Sequence, residues 1–159
     1  MGKTSKKLIA IASVFGFLWV TAGYAYALTA TNALNVTASV ISNCRIKSVT
    51  DIAFGNYDPT DVTNPTDALG DFTFKCTKGT GYDLYVTGTR SMTFGTDTLT
   101  FELYTDAVRT NLWPNLSPGV TGTSASNADD VRNVYGRIPA GQDVGAGSYS
   151  GSVTITVQY

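Results

Sequence analysis

The chain has 159 residues, of which 11 are basic, 12 acidic and none histidine, for a formal net charge of −1. Without histidine, a Ser-His-Asp or Cys-His catalytic arrangement is excluded, and the two cysteines lack the partners for a structural zinc centre. The balanced charge, with no basic cluster, excludes the electrostatic footprint of a nucleic-acid binder.

Lys3, Lys6 and Lys7 precede the uncharged apolar run 8–20, and small residues then lead to Ala25-Tyr26-Ala27. This is the n-region, h-region and A-x-A pattern of a secretory signal peptide over residues 1–27. An uncleaved anchor is the rival, because residues 8–28 are uncharged and long enough to span a bilayer. The small-residue tail favours cleavage after Ala27. The remaining 132 residues (28–159) suffice for one β domain and carry 8 basic against 12 acidic side chains. Both cysteines lie in that exported part, and an oxidising compartment makes Cys44–Cys76 the expected disulfide.

The exported part begins with an unusually long alternation. Leu28, Ala30, Asn32, Leu34, Val36, Ala38 and Val40 share one face, with no turn signal before Asn43-Cys44. Counted to Ile46, such a strand has 19 residues, against about 5–6 for an ordinary one. Two consecutive roles account for it: an extension over residues 28–37 that leaves the domain, and the first strand of a domain over 38–159.

Further strands are expected at 35–46, 72–76, 82–87, 99–104 and 131–138, with short pieces at 51–56 and near Val120. Asp58-Pro59 and Asn64-Pro65 mark 57–70 as a loop, and residues 111–127 as a whole are a Pro/Gly/Ser-rich crossing. The last strand is the clearest. Tyr149, Gly151, Val153, Ile155, Val157 and Tyr159 alternate without slip against Ser150, Ser152, Thr154, Thr156 and Gln158. With nothing after Tyr159 to return and pair with it, this strand is expected to keep an open edge.

The class is therefore all-β, as in a sandwich or barrel. About six main strands fall short of the seven of an immunoglobulin-like sandwich, and the extension of a second copy could supply the missing one. The expected donor residues are Leu28, Ala30, Leu34 and Val36. The expected acceptor edge is Tyr149, Val153, Ile155, Val157 and Tyr159, facing Val40 and Ile46 across a groove.

Phe54-Gly55-Asn56-Tyr57-Asp58-Pro59, Cys76-Thr77-Lys78-Gly79 with Tyr82, and Leu103-Tyr104-Thr105-Asp106 with Arg109, Thr110 and Trp113 resemble the spore coat protein U family. So do Val134-Tyr135-Gly136-Arg137-Ile138-Pro139-Ala140 with Gln142, and the terminal Gly147-x-Tyr149 strand. The resemblance runs from Cys44 to Tyr159. That family is similar to subunits of archaic chaperone–usher pili, with an incomplete immunoglobulin-like sandwich lacking its final strand and completed by donor-strand complementation. The resemblance implies a periplasmic chaperone and an outer-membrane usher as partners, and head-to-tail polymerisation with copies of itself or related pilins. It implies export through the periplasm to a cell-surface pilus serving adhesion and biofilm formation.

Other chemistry is thinly supported. Asp129-Asp130 reads as a solvated turn, and Asp58, Asp61, Asp67 and Asp71 match no EF-hand loop, so no metal is expected. Asn35-Val36-Thr37 and Asn115-Leu116-Ser117 match the short N-glycosylation pattern. Trp113, Tyr104 and Tyr135 could form a sugar platform, although core packing is the commoner use of such residues. Arg109 and Arg137 could pair with Asp106 or a neighbour's carboxylates. The expectation is a structural subunit, not an enzyme, with no cofactor and no small-molecule substrate. A coat or surface-matrix protein and a free-standing carbohydrate-binding sandwich are the alternatives.

Overall fold

The computed structural model describes residues 28–159; the expected signal peptide, residues 1–27, lies outside the described residues. The described residues fall into two units, 28–38 and Ser39–Tyr159. The described part of the first unit, residues 28–38, forms neither helix nor strand, and Leu28, Leu34 and Val36 are exposed.

The second unit is all-β among the described residues. Its strands are β1 (Cys44–Thr50), β2 (Thr66–Cys76), β3 (Gly81–Thr87), β4 (Ser91–Phe94), β5 (Asp97–Thr100), β6 (Glu102–Tyr104), β7 (Val120–Thr123), β8 (Asp130–Ile138) and β9 (Thr154–Gln158). A four-stranded sheet, β1-β2-β8-β6, packs on a three-stranded one, β7-β3-β9, and β4-β5 forms a separate hairpin. This is an immunoglobulin-like β-sandwich that does not close.

Alternation builds the core directly. Phe72, Phe74 and Cys76 of β2, Leu84 and Val86 of β3, and Val134 and Ile138 of β8 point inward and are buried. The intervening positions face out, as period-2 side chains must. Phe74 meets Tyr82 edge-on across the sheets, ring centroids 5.0 Å apart, and Phe72 packs on Trp113 at 5.8 Å. Cys44 and Cys76 are disulfide-bonded and face each other as register partners of β1 and β2.

Several elements differ from the sequence expectation. The first strand runs over Cys44–Thr50, not 35–46, since residues before Cys44 find no ladder partner. The loop expected at 57–70 ends early, because β2 extends back to Thr66 and pairs with β8 as far as Ile138. The strand expected at 99–104 is two. Leu99, Phe101 and Leu103 keep their alternation and are all buried. The pairing partner changes at Phe101, from β4 before it to β8 after it. The β4–β5 hairpin itself escaped the sequence pattern; its Gly95-Thr96 turn has Gly95 at φ 59°, the left-handed conformation glycine adopts cheaply.

Residues 51–57 form no strand. They cross the inner face of the larger sheet as a strap, with Ile52 and Phe54 packed on the core. Two glycines make room for it. A Cβ on Gly70 would lie 2.6 Å from Ile52 Cγ1, and one on Gly136 would lie 2.8 Å from Phe54 Cζ.

Candidate functional site

The two sheets part along one side, between β1 and β9. Each is an edge strand with a single ladder, β1 to β2 and β9 to β3. They approach at one end, where the Tyr159 hydroxyl donates to Asn43 Oδ1 at 3.4 Å. Away from that end they enclose a groove of about 430 Å3. Residues 49–52 form one wall and 149–153 with Ile155 the other, over a floor that includes Val86, Met92, Phe101, Leu103 and Val134.

The exposure of β1 reveals what the groove leaves undone. Ile46 pairs with Phe74 and Val49 with Phe72, so both belong to the inner face. Phe72 and Phe74 are 0% and 1% exposed, whereas Ile46 and Val49 are 39% and 52% exposed. A register shift between Ile46 and Ser48 lets two residues three apart share that face, which is the work of a β-bulge. The groove wall is thus Val49 and its successors, not Val40, which is fully outside the core.

The backbone of the last strand is as open as its side chains. Ser150 exchanges hydrogen bonds with Thr93, at 3.0 and 3.4 Å. Ile155 stands opposite Val86, whose N–H is instead given to Pro114 O at 2.9 Å. Amide groups alternate sides along a strand. Those of Gly151, Val153, Ile155 and Val157 therefore point away from β3, toward the groove. Val153, Ile155 and Val157 turn their side chains to the core, with Val157 opposite Leu84.

The sequence-derived residues fall as follows. Val153, Ile155 and Val157 are partly buried on the core. Tyr149 caps the far end, its hydroxyl donating to Gly145 O at 2.8 Å and its ring 5.8 Å from Phe94. Tyr159 is mostly exposed. Leu28, Leu34 and Val36 lie in the other unit, with their apolar side chains unburied. Sequence reasoning missed Val49, Ile52, Met92, Phe101 and Val134 as groove residues. The bulge and the change of partner at Phe101 leave no mark on periodicity.

A second cleft, of about 610 Å3, shares Ile52, Phe54, Met92 and Tyr149 with the groove and continues it past the strap. Tyr57 anchors the strap there, donating to Pro139 O at 3.1 Å and accepting from Gln142 N at 2.8 Å. Motif pieces more than 80 residues apart thereby meet in one brace.

The remaining candidate chemistry dissolves into structural contacts. Trp113 and Tyr104 are buried, so they cannot form a sugar platform with Tyr135. Arg137 and Arg109 both pair with Asp67, at 2.7 Å and 3.2 Å, not with Asp106. The Arg137 hydrogen bonds, helped by the Arg109 charge, hold the Asp67 carboxyl below the usual carboxylate range. Asp106 instead holds its own loop, accepting from the Thr110 and Asn111 amides. Asp61 is held low by the Asn64 amide and by Thr63 in a tight turn. Asp129 and Asp130 pair with Lys47 and Arg132.

The family model described as Spore Coat Protein U domain matches residues 30–156. No curated protein matches the chain closely enough to count as a relative. Among solved structures, the chain is similar to one chain of the CsuC–CsuE chaperone–tip adhesion subunit pre-assembly complex, from the archaic chaperone-usher Csu pili of Acinetobacter baumannii. The identity is 17% and the TM-score 0.50, over 76% of this chain and 40% of that one. The likeness is one of fold, and the present chain spans well under half of the matched one.

Proposed function

The chain belongs to the Spore Coat Protein U domain family, and on that premise we propose that it is the structural subunit of an exported surface polymer. Residues 28–36 of one copy add as a strand to the β1–β9 groove of the next. The observation that carries this reading is the half-exposed inner face of β1, at Ile46 and Val49, with Val49 opening onto a groove whose other wall has an unpaired backbone. A strand inserted there would complete both the ladder of β9 and the core at one stroke.

Dimensions agree. Nine residues in extended form span about 30 Å, enough to run the length of β9, whose five residues span about 17 Å, and on along the groove beyond it. The segment is free of charge from Leu28 to Cys44, so nothing in it resists burial in an apolar groove. Its Leu34 and Val36 would each gain about 1.5–3 kcal/mol on full burial. An unfilled subunit presents an apolar cleft beside an open strand edge, a template for wrong pairing. That hazard supports delivery by a periplasmic chaperone and export through an outer-membrane usher into a pilus at the cell surface. The role is structural rather than catalytic, and adhesion and biofilm formation are its expected setting.

Deleting residues 28–36 tests the reading, since the folded domain's strands begin only at Cys44. The truncated subunit should accept a neighbour's strand but donate none, and should cap polymers. Wild-type chains should run as ladders in mild detergent without boiling, because dissociation requires drawing a strand out of a core. Ladders of wild-type length from the truncated chain alone would refute strand donation.

A further inference from the structure

In a polymer joined this way, tension enters each subunit through residues 38–43 and reaches the folded domain at Cys44. β1 then has two duties. It is the root of the segment held by one neighbour and a wall of the groove that holds the other. It is also poorly fixed, an edge strand of seven residues with one ladder, interrupted between Ile46 and Ser48. A pull on Cys44 acts along that ladder in shear. A slip of two residues preserves which side chains face inward and lengthens the junction by about 7 Å. It also moves Ile46 and Val49 from their places opposite Phe74 and Phe72, so strain at one junction would deform the acceptor of the next.

The chain's single crosslink stands ahead of every other pair in this ladder. Cys44 and Cys76 are the first register pair of β1 and β2. Cys76 ends β2, which has 11 residues and is flanked by β1 on one side and β8 on the other. Thr77 adds to the grip, donating its N–H to Asn43 O at 2.8 Å and its hydroxyl to Ile41 O at 3.1 Å. A force arriving at Cys44 therefore passes covalently into an interior strand before it loads the rest of β1.

We propose that the Cys44–Cys76 crosslink is a tension shunt, which keeps the groove wall in register while the polymer is pulled. This inference rests on the donor-strand reading and adds a mechanical role to it. Position is what distinguishes the role from plain stabilisation. In the chain-entropy account a crosslink's effect depends only weakly on loop length. A bond between residues 50 and 71, the register pair at the far end of the same ladder, would therefore stabilise against heat to a similar degree. It would lie behind every β1 pair and shunt nothing.

The test pulls single surface filaments until they rupture. Native filaments are compared with filaments reduced and alkylated after assembly, and with filaments of the Cys44→Ala/Cys76→Ala/Thr50→Cys/Asp71→Cys variant. Thr50 and Asp71 line the groove, so filaments of Thr50→Ala/Asp71→Ala with the native crosslink show what those two substitutions alone cost, and the variant is scored against them. Rupture force should fall at least twofold on reduction. The relocated crosslink should restore thermal stability of the subunit without restoring rupture force. Should the variant fail to assemble, native and reduced filaments are each pulled at the same interval below the Tm of their own subunit, where plain stabilisation predicts equal rupture forces and the shunt a weaker reduced filament. Equal rupture force before and after reduction, or full mechanical rescue by the relocated bond, would overturn the shunt. Native chains that form no filaments at all would instead remove the donor-strand reading beneath it.

Discussion

Replacing Ile155 with aspartate separates the stability of the subunit from the closing of its groove. Ile155 is partly buried, lies opposite Val86 and lines the groove where the free edge of the last strand begins. In the free subunit the groove is open, so the new carboxylate keeps its water. The cost there is the contact of a half-buried isoleucine, about 1–2 kcal/mol, or roughly 3–8 °C in Tm for a domain of this size. An inserted strand changes the balance by shutting the carboxylate from solvent, which costs several kcal/mol or forces protonation. At about 1.4 kcal/mol per factor of ten, a 3–4 kcal/mol penalty weakens strand binding by roughly two to three orders of magnitude. Thr154→Asp is the control, one residue away but exposed and turned to the outer face. Thermal unfolding of the non-reduced subunit should find Ile155→Asp modestly destabilised and Thr154→Asp unchanged. Unboiled detergent gels should find ladders from Thr154→Asp and almost none from Ile155→Asp. Ladders of equal length from both variants would show that the inner face of this strand does not receive a partner.

Gly70→Ala should destabilise the subunit by about 1–3 kcal/mol, because the new methyl must displace Ile52 and the Thr50 carbonyl, both 2.6 Å away. Gly81→Ala, whose Cβ would meet only the Gly122 carbonyl at 4.0 Å, should leave Tm unchanged, and equal shifts in the two would discredit the strap as a tightly packed element. Acid should weaken the Asp67 brace. Its carboxyl is lowered in the folded state, so its stabilising effect is present above the ordinary carboxylate range and fades as pH falls through that range and below it. Asp67→Asn should consequently lower stability at neutral pH and narrow the gap from wild type in acid, as read from denaturation midpoints at pH 7 and pH 3. A gap that does not narrow would place the effect elsewhere.

The sequence by itself determined the class, the inward face of most strands and the identity of the exposed segment. Period-2 alternation is a local property, so the shared face of Val153, Ile155 and Val157 was legible before any pairing was known, and these residues pack on the core, while Tyr159 on the same face stays mostly exposed. The disulfide followed from compartment and cysteine count, and the uncharged alternation from Leu28 onward stood out through length alone. Pairing was beyond the same reasoning. Leu99, Phe101 and Leu103 read as one strand and lie inward as such, yet β5 and β6 join different partners. Val40 precedes β1 altogether, and Val49 joins the groove wall because a bulge resets the face of that strand; a bulge costs one residue of register without any signature in composition. Gly70 and Gly136 look like weak points within strands until Ile52 and Phe54 are seen resting on them. Which backbone edges stay unpaired is a property of sheet order, and sheet order is settled by contacts between residues far apart in the chain. Side-chain orientation was therefore legible one strand at a time, while the open groove existed only once the two sheets had packed.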